Sequence, residues 1–253
     1  MSGHSKWSTI KHKKGAADQK RGALFTKLTR EIIVAARSGG GNVDMNFRLR
    51  LAVDTARAQN MPKDNIERAI AKGSGADKEG VSLEEVAYEG YGPGGVGIIV
   101  QALTDNKNRT ASEVRSRLTK GGGTMAASNA VAWNFERKGQ IMVNVTQGDP
   151  DEVALHAVDA GADDVDVQGK TVTITAPFNG FEQVRARVAK LPGVEIEQAE
   201  VAMVSKNTIT LDPAKAQQTL RLLDALEDLD DVQKVYSNAD FPDAVLAEYA
   251  KAS

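Results

Sequence analysis

The sequence predicts an α+β multidomain protein, and three observations carry that prediction. Apolar residues repeat at helical spacing up to about residue 72 and at strand spacing from about residue 86. A glycine-rich stretch, G-S-G-A-D-K-E-G from Gly73 to Gly80, separates the two regimes. From about residue 140 the elements follow in the order β-α-β-β-α-β, which is the ferredoxin-like order.

Ser2 to about Ala17 has no apolar periodicity and is expected to be an extended arm. A helix is expected from Asp18, as N-cap, to Arg37, stopped by Ser38-Gly39-Gly40-Gly41. Leu24, Leu28 and Ile32 recur every fourth residue and give it one buried stripe, while Lys20, Lys27, Arg30 and Arg37 fall on another arc. A second helix over Asp44 to Gln59 buries some of Phe47, Leu49, Leu51, Val53 and Ala56 and shows Arg48, Arg50 and Arg57. Asn60-Met61-Pro62 breaks it, and Pro62 suits the first turn of a third helix that ends at Lys72-Gly73. Residues 1–75 thus read as a basic arm plus a three-helix all-α domain, whose tight second joint is compatible with a helix-turn-helix.

Beyond the glycine-rich stretch, Val86 to Glu89 and Val96 to Leu103 read as strands around a turn. A helix follows over Asn108 to Lys120, capped by Thr110 or Asn108 and ended by Gly121-Gly122-Gly123, and Ala130 to Phe135 reads as a strand. The ferredoxin-like unit has strands at Gln140–Val145, Asp164–Val167, Thr171–Ala176 and Val194–Ala202, with helices at Pro150–Ala160 and Gly180–Leu191. After it come a strand at Thr208–Leu211, a helix at Pro213–Leu226 and a strand at Val232–Ser237, too few to fold alone. They are expected to complete the earlier half unit. Residues 81–136 and 205–240 then form one discontinuous domain, with 138–204 inserted in it. The whole is an N-terminal three-helix all-α domain followed by two ferredoxin-like α+β domains, one inserted in the other.

The net charge of −2 conceals an asymmetry. Residues 1–75 hold fifteen Lys/Arg against six Asp/Glu, and the remainder seventeen against twenty-eight. Residues 1–30 alone carry eight cations against one acid, Asp18. Such a segment repels itself unless a polyanion is near, whereas an acidic body is repelled by the same polyanion. The expected partner is nucleic acid, DNA or ribosomal or messenger RNA, met by the front third while the acidic domains contact protein, the ribosome among the candidates. Lys6, Lys11, Lys13, Lys14, Lys20, Arg21, Lys27 and Arg30 are the expected phosphate contacts, with His4 and His12 assisting and Trp7 stacking on a base. Arg48, Arg50 and Arg57 extend the surface. The loop Asp105-Asn106-Lys107-Asn108-Arg109-Thr110 joins a strand to a helix N-terminus, so Asn106, Lys107 and Arg109 are candidates for a further phosphate contact or for plain capping.

Other chemistries find no footing. Gly90-Tyr91-Gly92-Pro93-Gly94-Gly95 matches the dinucleotide fingerprint formally, but it precedes a strand rather than opening a helix, so a hairpin turn is expected. There is no cysteine, hence no disulfide, thiol nucleophile or Cys-type zinc site. His4, His12 and His156 share no metal-ligand spacing, and Asp163-Asp164-Val165-Asp166 reads as solvated turn acids. No nucleophile, base and orienter assemble, so the expectation is a protein without catalysis, cofactor or metal. No apolar run approaches the roughly 20 residues of a membrane span, no secretory signal is legible, and a cytoplasmic location is expected.

Several motifs together are distinctive. Gly3-His4-Ser5-Lys6-Trp7, Ile10-Lys11-His12-Lys13, Lys20-Arg21, Asn60-Met61-Pro62-Lys63-Asp64-Asn65-Ile66, Glu89-Gly90-Tyr91-Gly92-Pro93-Gly94-Gly95 and Asn108-Arg109-Thr110 resemble the YebC/PmpR family along essentially the whole chain. One departure is Ser128-Asn129-Ala130 before Val131, where that family usually has a glycine; Gly15-Ala16-Ala17 is a variant of the arm. The resemblance implies three domains, a helical head and two α+β domains, and a cytoplasmic DNA-binding transcriptional regulator. It also implies an alternative, an RNA- or ribosome-associated translation factor, since relatives include mitochondrial translational activators of cytochrome oxidase subunit one.

Overall fold

The computed structural model describes Trp7, residues 18–75 and residues 83–252, without the side chains of residues 18–20 and 252. The expected extended arm of Ser2–Ala17 lies outside these residues, Trp7 excepted. The chain divides into two compact units, one over Glu136–Val204 and the other over Ser2–Phe135 and Ser205–Ser253.

In the larger unit, the head consists of α1 (Asp18–Gly39), α2 (Phe47–Ala58) and α3 (Lys63–Gly73). Leu28 and Ile32 of the expected stripe are buried and Leu24 is partly buried beside them; with Ile33 and Ala36 of α1 they meet Leu49, Val53 and Ala56 of α2 and Ile66 and Ala69 of α3. Burying each large aliphatic contributes about 1.5–3 kcal/mol. Asn46 sets the start of α2, three residues later than the sequence suggests. Its side chain accepts the Leu49 N–H (3.1 Å) and donates to the Ala35 and Gly40 carbonyls, both at 2.8 Å. One buried amide therefore caps α2 and ties it to the end of α1. At Gly73, a Cβ would stand 2.4 Å from the Ile33 carbonyl oxygen, so α3 ends where only glycine lets it touch α1.

The rest of this unit is an α+β domain. Its strands β1 (Glu84–Tyr91), β2 (Gly97–Thr104) and β3 (Thr124–Met125) come before the smaller unit in sequence, as does α4 (Lys107–Lys120). The strand β1 pairs antiparallel with β2 from Glu84↔Thr104 to Tyr91↔Gly97. The glycine-rich segment closes that hairpin, with the Gly92 N–H donating to the Val96 carbonyl (2.8 Å), and opens no helix of the kind a dinucleotide needs.

The smaller unit contains β4 (Phe135–Val145), α5 (Pro150–Asp159), β5 (Asp164–Gln168), β6 (Thr171–Pro177), α6 (Phe181–Val188) and β7 (Val194–Ser205). Its sheet order β5-β6-β4-β7 is ferredoxin-like, with Ile141↔Ile174 and Val143↔Val172 facing each other on the middle pair. Phe181 lies over Gly139, where any side chain would collide with its ring.

The chain then returns to the larger unit as β8 (Ile209–Thr210), α7 (Pro213–Glu227), β9 (Val232–Ser237), β10 (Ala239–Asp240) and α8 (Asp243–Ala252). The strand β9 completes the sheet against β2, giving the order β3-β1-β2-β9, while β8 and β10 form a short parallel pair. Val96, just before β2, and Ile98, Val100 and Ala102 of β2 pack with Val114 and Leu118 of α4 and Leu220, Leu223 and Leu226 of α7. The domain's core is thus built from both sides of the intervening unit.

Two further expected elements differ. Ala130–Phe135 is not a strand: Ala132–Asn134 form a 3-10 turn and the strand begins at Phe135. The cause is Glu89, whose carboxylate accepts the N–H groups of Asn129 (2.6 Å), Val131 (2.7 Å) and Ala132 (2.9 Å) and so takes the donors that a ladder would use. Helix α4 begins one residue early because Asn106, rather than Asn108 or Thr110, is its N-cap.

Candidate nucleic-acid interface

Of the expected contact residues, His4, Lys6, Lys11, His12, Lys13 and Lys14 lie outside the described residues, as does the side chain of Lys20. The others are visible, and the structure sorts them in a way that the sequence does not.

Trp7 is 1% exposed, in the core formed by β2, α4 and α7. No base reaches a ring so enclosed, and its expected stacking role is corrected to a core role. The arm's sequence therefore includes a residue that the α+β domain claims as its own.

Three cations of the head point at the same domain. The Lys27 amino group donates to the Glu227 carbonyl at the end of α7. Arg30 donates to the Asp230 carbonyl (2.7 Å) and to the Asp231 carboxylate (2.9 Å). Arg48 forks between Glu31 of its own head (2.8 Å) and Glu85 of β1 (2.6 Å). Burial pulls the Arg48 guanidinium down, but its bonds to Glu31 and Glu85 outweigh that and hold it above its ordinary value.

Asp231 is the hub of this arrangement. Its side chain is 3% exposed, yet it accepts four donors: Arg30 on one oxygen and Arg109 (2.7 Å), Thr110 (2.7 Å) and Thr104 (3.1 Å) on the other. Burial raises the carboxyl's pKa, while the hydrogen bonds from Arg109, Thr110 and Thr104 lower it by more, so it stays charged below the usual carboxylate range. A buried carboxylate is tolerable only when so fully satisfied.

The loop before α4 is occupied in the same way. Asn106 accepts the Arg109 N–H (3.1 Å) as N-cap, Lys107 pairs with Glu84 (2.5 Å), and Arg109 reaches Asp105 (2.8 Å) as well as Asp231. Capping and internal pairing account for all three side chains. Arg50 donates to the Asp44 carbonyl (3.1 Å) and lies over the Phe47 ring, while the exposed Arg57 sits 3.9 Å from Asp54. Arg21 is exposed on the first turns of α1.

Sequence reasoning passed over two features. Arg115, Arg117 and Lys120 are exposed on α4 and form no ion pair among the described residues. Trp133 is 67% exposed, directly before β4. The signal for the first was the composition of α4, five cations to one acid. For the second there was none, because Ala130–Phe135 alternates like a half-buried strand.

Among the described residues, no three His, Asp or Glu side chains converge as a metal site. Asp163 instead pairs with Lys138 (2.7 Å), and Asp166 accepts from Gln168 (2.8 Å).

Comparison with known proteins agrees from end to end. A family model described as the TACO1/YebC protein N-terminal domain matches residues 5–76, and one described as the TACO1/YebC second and third domain matches residues 83–239. A probable transcriptional regulatory protein of Desulforapulum autotrophicum is 54% identical over 97% of this chain and 98% of its own length. One from Dehalococcoides mccartyi is 53% identical over 98% of each chain. The crystal structure of a conserved hypothetical protein from Aquifex aeolicus superposes with a TM-score of 0.84 at 47% identity, covering 92% of this chain and 96% of that one.

Proposed function

The chain belongs to the TACO1/YebC family, and from that premise we propose that it is a non-enzymatic, cytoplasmic regulator that grips nucleic acid through its basic arm. The relatives named probable transcriptional regulatory proteins support a DNA-directed regulator as the first form of this reading. One observation carries it: eight Lys or Arg against one acid in residues 1–30. The work of binding falls chiefly on Lys6, Lys11, Lys13, Lys14, Lys20 and Arg21, because Lys27, Arg30 and Arg48 are engaged with the α+β domain.

That division of labour also favours a second form, in which the target is structured RNA and the regulation translational. Reading bases in a major groove requires a helix that offers uncommitted side chains. In the head, Arg30 and Arg48 are committed, Arg68 donates to Asn65 and to the Asp64 carbonyl, and Lys63 faces Glu67 at 3.4 Å. An arm rich in Lys and His suits the irregular surface of folded RNA equally well.

The test is the salt dependence of binding to duplex DNA and to ribosomal RNA. With about six cations engaged on duplex DNA, the log–log slope is about −5. Deleting the arm is a poor control, since it removes Trp7 from the core; replacing Lys6, Lys11, Lys13 and Lys14 by Gln keeps Trp7. A flat salt response, or unchanged affinity in that variant, defeats the proposal. Crosslinking in cells, followed by sequencing of the attached nucleic acid, separates promoter DNA from ribosomal RNA.

A further inference from the structure

Trp133 and Tyr91 are the exposed aromatic residues of the α+β domain, at 67% and 41% exposure, and they are fixed to one point. The Trp133 indole N–H donates to the Ala130 carbonyl (3.0 Å) and the Tyr91 hydroxyl donates to the same oxygen (3.2 Å). Both polar edges are thereby used internally, which leaves ring surface as what these side chains present to solvent.

The segment that carries Trp133 is held from two sides. Glu89 takes the N–H groups of Asn129, Val131 and Ala132; burial pushes that carboxyl up, but these bonds outweigh it and keep it below its usual range. On the other side Asn134, 5% exposed, exchanges hydrogen bonds with the backbone of Asn207, accepting its N–H (2.9 Å) and donating to its carbonyl (2.8 Å). A half-buried carboxylate and a buried amide are thus spent on immobilising a large exposed ring.

A cation lies beside it. The exposed Lys206 brings its amino group 3.4 Å from the Trp133 carbonyl. Gly123 lies against Tyr91, where a Cβ would meet the Tyr91 carbonyl at 2.5 Å, so the end of α4 with Lys120 sits beside the same strand end. A rigid aromatic pair with a lysine beside it is the arrangement that stacks a base and neutralises its phosphate. Bases in a duplex are already stacked and out of reach of a surface ring, whereas RNA loops present them unpaired.

We propose that Trp133 and Tyr91, with Lys206, form a stacking platform for an unpaired base of single-stranded RNA. This rests on the nucleic-acid reading above, in its RNA form. It assigns a second contact, independent of the arm.

The chain has two tryptophans, Trp7 buried and Trp133 exposed, so intrinsic fluorescence reports on the platform. The full-length protein is titrated with an unstructured RNA of about twelve nucleotides, with a duplex DNA of equal length as comparison. The expected result is quenching by the RNA alone, lost in Trp133→Phe although binding persists. Trp133→Ala weakens binding about 5- to 100-fold, the range for one stacked base, and Lys206→Gln weakens it less. Circular dichroism and the melting temperature confirm that the variants fold. RNA binding without quenching, unchanged affinity in Trp133→Ala, or equal quenching by the duplex overturns the platform and leaves the arm's role standing. Loss of a co-purifying protein from Trp133→Ala, with RNA affinity intact, also overturns it and reassigns the rings to a protein contact. Failure of wild-type protein to bind any nucleic acid at low salt overturns the underlying reading and the platform with it.

Discussion

The guanidinium of Arg30 and the carboxylate of Asp231 meet at 2.9 Å across 201 positions of sequence, joining the first long helix of the head to the loop before β9. Arg109 and Thr110 share that carboxylate, so a single buried acid holds the head, the first turn of α4 and the loop before β9 together.

Removing the acid therefore costs more than removing either arginine. Asp231→Ala removes an acceptor shared by two guanidinium groups and two hydroxyls, leaving Arg30 and Arg109 only their bonds to the Asp230 carbonyl and Asp105, and is expected to lower unfolding stability by about 1–3 kcal/mol. Arg30→Ala, which leaves Arg109 in place, lowers it less. Urea unfolding of the single and double variants gives the coupling; additive losses would show that the pair is not a unit.

Acid exposes the same hub. Asp231 and Glu89 both titrate below the usual carboxylate range when folded, so the unfolded chain takes up protons first as pH falls. Their stabilisation is full above the unfolded carboxylate value near 4 and is lost as pH drops through the folded values. Urea midpoints are expected to hold between about pH 7 and 5 and to fall steeply below about 4. Asp231→Asn and Glu89→Gln flatten that fall at the expense of neutral-pH stability.

A backbone prediction concerns Asn129, which has φ +65° in the segment gripped by Glu89. Asparagine tolerates this left-handed conformation and glycine adopts it freely. Asn129→Gly is expected to be within about 0.5 kcal/mol of wild type, whereas a β-branched Asn129→Val costs about 1–3 kcal/mol. Thermal melts separate the two, and a tolerated valine would rule out the conformational argument.

Latch residues and phosphate contacts separate by their response to salt. Replacing an arm lysine such as Lys11 by Gln is expected to reduce the slope of log K against log salt by about 0.9 on duplex DNA, with no change in melting temperature. Arg48→Gln is expected to do the reverse, leaving the slope alone and lowering stability by breaking the fork to Glu31 and Glu85. An unchanged melting temperature with a reduced slope in Arg48→Gln would return Arg48 to the binding surface.

The head was legible because its core is local: Leu28 and Ile32 form one face of one helix, and glycines end α1 and α3. The ferredoxin-like unit was legible from element order alone. What escaped was whatever depends on a distant partner. The segment Ala130–Phe135 has the alternation of a strand, and only a carboxylate some 40 positions earlier turns it aside. Trp7 sits among lysines and reads as a surface residue, although it is buried in the hydrophobic cluster of the larger unit's α+β domain. Arg30, Arg48 and Arg109 have the composition of a phosphate clamp, and nothing near them in sequence announces Asp231 or Glu85 as their acceptors. Helix α8, whose Val245 and Leu246 are buried, lies beyond the last element that the pattern suggested.

Asn134 and Asn207 are joined backbone to side chain in both directions, and the Lys206 N–H also donates to the Asn134 carbonyl at 2.7 Å. The intervening seventy-odd residues therefore leave and re-enter their host through a gate already stapled shut. The host sheet, β3-β1-β2-β9, takes no strand from those residues. A short peptide bridge between these asparagines is therefore expected to leave the host's strand order as it is.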